Sequence, residues 1–181
     1  NIVNTFTQFY KALYEVDPST KAGLQEFSYQ SPQHWSTVLA PITPEEVRAA
    51  ISRTNALKSP GPDGIGYALY KHSSLKIDSL LADIFSYFIR GNPIPMSWKE
   101  GITTVIYKDK GSKEDPNNYR PITLLNADYK LFSAILAYRF QSVLKQSVSP
   151  NQNGFIKDRL IFENVITVLE CIERMNCEEE Y

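Results

Sequence analysis

GITTVIYKDKGSKEDPNNYRPITLLNADYK, residues 101–130, is the stretch whose reading decides the fold. Ile102, Val105 and Ile106 lie in a β-branched run bounded by Gly101 and by the charged turn after Tyr107, which is strand composition. Asn118-Tyr119-Arg120-Pro121 opens a second apolar run, Ile122 to Leu125. Between them, Asp109 to Asn117 carries the Gly, Pro, Asp and Asn that a hairpin loop needs. Antiparallel pairing brings Lys108, as it leaves the first strand, close to Arg120, as it enters the second. Two cations at the mouth of one hairpin suit a polyanion such as a triphosphate. Spacing alone favours the plainer reading, two surface charges beside a turn.

Working outward, the 181 residues suffice for one domain with a real core, or one and a half, and 43% hydrophobic content is globular. No apolar run reaches the length of a membrane span, about 18 residues or more. Cys171 and Cys177 have no metal-ligand company, since the histidines are His34 and His72, so a reduced compartment is the better reading than a lone disulfide. The opening Asn1-Ile2-Val3-Asn4 has neither an initiator Met nor a signal peptide, which suggests a piece of something longer. Net charge is −1, against indiscriminate nucleic-acid binding. Yet residues 99–159 hold ten Lys and Arg against six Asp and Glu, and the remainder nine against fourteen. The positive half contains the hairpin, a modest electrostatic footprint that a mixed-charge surface would also give.

In chain order, Phe6, Phe9, Tyr10, Leu13 and Tyr14 recur at helical spacing and predict an amphipathic helix packed on the body, ended by residues 17–20. Residues 21–40 have no period and read as a loop laying Phe27, Tyr29 and Trp35 on the core. Thr43-Pro44-Glu45-Glu46 is a capping box with proline at the first helical position. The helix it starts presents Val47, Ala50, Ile51, Thr54 and Leu57, and stops at Ser59-Pro60. Residues 58–66 form a loop stiffened by Pro60 and Pro62, with Gly61, Gly64 and Gly66 allowing positive φ or close backbone approach. Ser74 is positioned to cap a helix with the stripe Ile77, Leu80, Leu81, Ile84, Phe85 and Phe88, ended by Gly91-Asn92-Pro93. Residues 93–98 read as an extended connection anchored by Trp98. Asn126 is the expected cap of a long helix that turns Leu131, Phe132, Ile135, Leu136, Phe140, Val143 and Leu144 inward and leaves Lys130, Arg139 and Lys145 solvated. Residues 152–159 read as a short loop or strand with a tight bend at Gly154 and Phe155 as its anchor. Phe162, Val165, Ile166, Leu169 and Ile172 give a last helix, and Glu178 to Glu180 a frayed charged end.

Three segments together carry a resemblance: residues 58–65, KSPGPDGI; residues 118–140, NYRPITLLNADYKLFSAILAYRF; and Gln152-Asn153-Gly154-Phe155-Ile156 with Arg159. Each alone is a weak signal, but three in this order over about a hundred residues are strong. They resemble the fingers motifs of reverse transcriptases from LINE-type (non-long-terminal-repeat) retrotransposons, and the likeness extends in weaker form over nearly the whole chain. Thr123 where serine is common, and Glu163-Asn164 for Asp-Asn, are mild departures.

The resemblance implies an α+β, helix-rich fingers subdomain with a small antiparallel sheet. It implies an N-terminal helical extension over residues 1–57, fingers over 58–160, and over 161–181 a helix leading to a palm that this sequence lacks. It assigns Lys108 and Arg120 to the triphosphate of the incoming deoxynucleotide. It assigns Lys58, Gly61, Gly64, Gln152, Phe155 and Arg159 to the RNA template. The implied partners are RNA template, RNA–DNA hybrid, deoxynucleotide and the palm of the same polypeptide, inside a host cell in nucleus or cytoplasm and away from membranes. Two-metal nucleotidyl transfer needs converging carboxylates. The aspartates at 17, 63, 78, 83, 109, 115, 128 and 158 are scattered and no Asp-Asp pair occurs. No catalytic or metal-binding residue is therefore expected in this chain, no cofactor is expected in it, and Mg²⁺ is expected for the parent polymerase. A stand-alone RNA-binding or protein-interaction module derived from a reverse transcriptase remains the alternative. A hydrolase is weaker, for want of a triad, metal spacing or P-loop.

Overall fold

The two β-branched runs pair as expected. In a computed structural model, which describes residues 1–15, 35–149 and 151–178, β1 (Ile102–Tyr107) and β2 (Tyr119–Leu124) form an antiparallel two-stranded sheet. The register places Ile106 opposite Arg120 and Val105 opposite Pro121. Beyond the strands, the Lys108 N–H donates to the Asn118 carbonyl at 2.8 Å. The bonded pairs are therefore the even-numbered ones, and Pro121, which has no N–H, sits where a strand points away from its partner.

The helices are α1 (Ile2–Leu13), α2 (Trp35–Val38), α3 (Pro44–Ser52), α4 (Tyr67–His72), α5 (Leu75–Ile89), α6 (Ala127–Ser147) and α7 (Phe162–Glu178). The described part is thus helix-rich with one small sheet. Contacts divide the chain into a unit of residues 1–30, 54–72 and 94–130 and a unit of residues 31–53, 73–93 and 131–181.

In the first unit, α1 lies on one face of the hairpin. Phe6 meets the Tyr119 ring edge-on at 5.0 Å, and the Tyr10 hydroxyl donates to the Tyr119 carbonyl at 3.2 Å. None of its residues is buried, so α1 rests on the sheet without entering a core. Residues 93–98, expected to be extended, end in a 3-10 turn over Met96–Trp98. Trp98 is the anchor expected: it is 5% exposed, and its indole N–H donates to Asp128 at 2.8 Å. The short α4 was not foreseen. It buries Tyr67 and Tyr70, and burial together with the charges of Asp128 and Asp63 pushes the Tyr70 phenol up to about 12.

In the second unit the capping box forms as read: the Thr43 hydroxyl accepts from the Glu46 N–H, and the Glu46 carboxylate accepts from the Thr43 N–H. The helix is shorter than the stripe implied. It ends at Ser52, and Leu57 is 92% exposed. Asn55 explains the early stop, because its side chain accepts from the Leu57 N–H and so offers the backbone a turn in place of a helix. In α5 the inward face is rotated from the apolar stripe: Asp78, Leu81, Ala82, Phe85 and Ser86 are buried, while Leu80 and Ile84 are exposed. The polar members are drawn in by partners. Arg48 pairs with Asp78, and the Ser86 hydroxyl bonds both main-chain groups of Ile42.

The largest departure is Arg139. Expected in solvent, it is 8% exposed. Its guanidinium donates to both Glu46 oxygens and to the carbonyls of Val38, Ala40 and Pro41. A planar five-donor fork can satisfy such a cluster of acceptors, which Lys could not. Lys130 is half-buried, its ammonium 5.4 Å from the centre of the Tyr67 ring; the Lys145 side chain lies outside the described residues. Asn126 does not cap α6. Its side chain is turned to the loop preceding α4 and to Ser97. The expected stop at residues 17–20, the loop reading from 21 to 34 with Phe27 and Tyr29, the Trp35 side chain and the acidic end past Glu178 also fall outside the described residues. Residues 35–38, at the end of that loop reading, are the helical turn α2.

Candidate functional site

Alternation along a strand fixes which face each hairpin residue occupies. Thr103, Val105, Tyr107, Tyr119, Pro121 and Thr123 share the face that α1 lies on, and a groove of about 990 Å³ runs between the two. Ile102, Ile106, Arg120 and Ile122 share the other face, where Ile102, Ile106 and Ile122 are 52%, 53% and 41% exposed. Lys108, two residues past Ile106 and across from Asn118, falls on that open face as a diagonal neighbour of Arg120. Such diagonal pairs stand about 7–8 Å apart at the backbone, well within the joint reach of two long cationic side chains.

The two cations are not equivalent. The Lys108 ammonium donates to the Asn117 carbonyl at 2.6 Å. Arg120 is exposed, and its guanidinium has no hydrogen-bond or ion-pair partner among the described residues. Asp128, the carboxylate best suited to make Arg120 structural, is taken by the indole of Trp98 and the N–H of Tyr129.

The loop that carries Lys108 is fastened by its own side chains. Asp109 and Gly111 have φ of 53° and 80°. The Tyr107 hydroxyl donates to the Gly111 carbonyl, the Asn118 amide to Ser112, and the Tyr119 hydroxyl to Lys113. Asp115 accepts from the N–H and the amide of Asn117, and these bonds, with help from the Lys108 charge, hold its carboxyl below the ordinary range.

The loop at residues 58–66 approaches the other end of β2. Gly61 is buried, and a Cβ there would strike the main chain of Leu125 and Asn126, so only glycine fits. The Asp63 N–H donates to the Asn126 side chain at 3.3 Å, and the Gly64 N–H to the Gly61 carbonyl at 3.1 Å. Gly64 has φ +72°, and Lys58 and Gly64 are exposed. The contact at Leu125 lies five residues along the chain from Arg120. At about 3.3 Å per residue this is about 17 Å, so one strand carries the cation pair near its start and supports the loop just past its end.

Gln152, Phe155 and Arg159 belong to the second unit. Phe155 is not the anchor expected: it is 98% exposed, at φ 64°, and Ile156 is the buried residue. The bend is at Phe155 and Asp158, which carry positive φ, and not at Gly154. Arg159 turns back on its own segment, donating to the carbonyls of Val148, Ser149 and Gln152. Sequence reasoning passed over Gln141 of α6. Its amide donates to the Phe155 carbonyl at 3.1 Å and accepts from the Lys157 N–H at 3.0 Å. Nothing in helical periodicity singles out a half-buried glutamine. Among the described residues no three His, Cys, Asp or Glu side chains come together to hold a metal ion, and no helix is long and apolar enough to cross a membrane.

No family model matches the chain. Individual proteins do. It is 25% identical over 168 residues, 91% of its length, to the transposon TX1 uncharacterized 149 kDa protein of Xenopus laevis. It is 29% identical over 85% of its length to a probable RNA-directed DNA polymerase from transposon BS, and 31% identical over 79% to one from transposon X-element, both of Drosophila melanogaster. Other matches are proteins of the retrotransposable elements R1 and R2 and of the mobile element jockey. The matched regions cover 13%, 17% and 16% of the first three relatives.

Proposed function

The chain belongs to the reverse transcriptases of LINE-type retrotransposons, and from that premise we propose that it is their fingers portion, which holds RNA template and the triphosphate of the incoming deoxynucleotide. The observation that carries this reading is the guanidinium of Arg120, without a partner among the described residues, on the open face of a fastened hairpin beside Lys108. Arg120 takes two phosphate oxygens in its planar fork, and Lys108 adds a point charge from the loop. Together they offset the negative charge of the triphosphate and align the pyrophosphate that departs. The exposed isoleucines of that face flank the cations with apolar surface. On this reading the parent polymerase would use Mg²⁺ for nucleotidyl transfer, held by converging carboxylates of its palm.

Template contact falls to Lys58, Gly64, Gln152 and Phe155, which are open to solvent. Gly61 and Arg159 serve it indirectly, by holding the two loops in place. A backbone-tracking contact of this kind is salt-sensitive, with a slope of log affinity against log salt of about 0.7 per phosphate on a single strand. The test is fluorescence anisotropy of a labelled single-stranded RNA oligonucleotide at a series of KCl concentrations. Lys58→Gln is expected to weaken binding and lower the slope by about 0.7. Unchanged affinity and slope would remove Lys58 from the template surface.

A further inference from the structure

The loop that follows α6 holds an aromatic ring in a state that folding does not favour. Phe155 is 98% exposed, so its ring buries almost nothing, and its φ of 64° is a conformation that bulky side chains avoid. Two unfavourable features at one residue call for something that holds it there. Gln141 does so. Its amide N–H donates to the Phe155 carbonyl at 3.1 Å, and its amide oxygen accepts from the Lys157 N–H at 3.0 Å. The two bonds bracket Ile156, whose apolar side chain is buried. A primary amide is the group with a donor and an acceptor side by side in this arrangement. A carboxylate of the same size would keep the bond from Lys157 and set two lone-pair-bearing oxygens against each other at Phe155.

We infer that Gln141 is a positioning residue whose amide clamp presents the Phe155 ring as a stacking platform for an unpaired base of the single-stranded template. The inference rests on the reading of Phe155 as a template contact and adds the residue that makes it one. Every base has a π-face, so an exposed ring stacks without regard to sequence. The clamp fixes the main chain that carries the ring, so less ordering of the loop is left to be done on binding.

The experiment is a double-mutant cycle on the 181-residue chain, read as the affinity for a fluorescein-labelled single-stranded RNA oligonucleotide of mixed sequence across a KCl series. Phe155→Ala is expected to weaken binding about five- to over a hundredfold, the range for losing one base stack, with no change in salt slope. Gln141→Met keeps the helix and removes both bonds of the clamp. It is expected to weaken binding in the same range, also at unchanged slope, and to have no further effect once Phe155 is alanine. Gln141→Glu is the second variant, and its loss should match that of Gln141→Met. Phe155→Trp gives an independent readout, taken as the difference from the parent because Trp35 and Trp98 also emit: the added emission is quenched by RNA when Gln141 is present and not in Gln141→Met. If Phe155→Ala binds RNA as well as the parent, the template reading of Phe155 falls and the inference with it. If Phe155→Ala weakens binding but Gln141→Met does not, or weakens it equally with and without the ring, the template reading stands and the positioning role is overturned.

Discussion

Arg120→Ala, made in a polymerase that carries this sequence, is expected to lower kcat/KM for deoxynucleotide about ten- to over a hundredfold. One charge-assisted hydrogen-bonding contact to a phosphate is worth about 1.5–3 kcal/mol, and each 1.36 kcal/mol is about tenfold in rate. Stability should scarcely move. Arg120 is exposed, has no partner among the described residues, and leaves Tyr119, Pro121, Ile122 and Leu124 to hold the strand. Template affinity should change little, because the residues proposed to meet the template lie on other loops. Lys108→Ala should fall in the same direction by less, since its ammonium is already shared with the Asn117 carbonyl and has no fork. Single-nucleotide incorporation kinetics against a thermal melt separates the two possible roles. Normal kinetics with a lowered melting temperature would make Arg120 a structural residue.

Arg139→Ala is expected to be the most destabilising single change in the chain. It takes the guanidinium from the carbonyls of Val38, Ala40 and Pro41 and from the Glu46 carboxylate, which keeps only the Thr43 N–H. Breaking a buried pair in this way costs about 3–5 kcal/mol. Glu46, with its side chain 31% exposed, regains some hydration, which places the loss near the lower figure. Urea unfolding at neutral pH measures it, and a loss under about 1 kcal/mol would mean that water replaces the arginine at little cost. The same pair makes stability depend on acid. The hydrogen bond from Arg139 holds the Glu46 carboxyl below its ordinary 4.5, against the opposing effect of burial and with help from the Thr43 N–H. The folded state thus binds the proton less readily than the unfolded chain. The contribution is complete above the ordinary carboxyl range and is lost as pH falls through the folded value. Glu46→Gln should therefore be less stable than the parent at pH 7, with the gap closing below pH 4.5.

Local rules wrote much of this molecule into its sequence. The hairpin was legible because β-branched runs, turn residues and an arginine-proline start all agree. The capping box of α3 was legible because it involves four consecutive residues. What was hidden depends on partners distant in the chain. Arg139 reads as a solvated helix charge until Glu46, 93 residues away, and the carbonyls near α2 are placed around it. Asp78 lies off the apolar stripe of its helix, and it is buried with Arg48, 30 residues away, as its partner. Asn126 reads as a cap until the Gly61 loop takes its side chain. At the site, the cation pair was legible because a hairpin places it by register. Phe155 was misread as an anchor because an aromatic after a glycine usually packs, and no local signal announces that Gln141 will hold it in solvent.

The central claim is that the open face of the hairpin grips a triphosphate. Its most direct test is NMR of the Arg120 guanidinium Nε–H, resolved by comparison with Arg120→Lys, while the chain is titrated with thymidine triphosphate and, separately, with thymidine. The account predicts a saturable shift of the Arg120 signal and of the Lys108 main-chain N–H with the triphosphate, and no shift with the nucleoside. An Arg120 signal that stays in place while other cations of the chain respond to the triphosphate would contradict it.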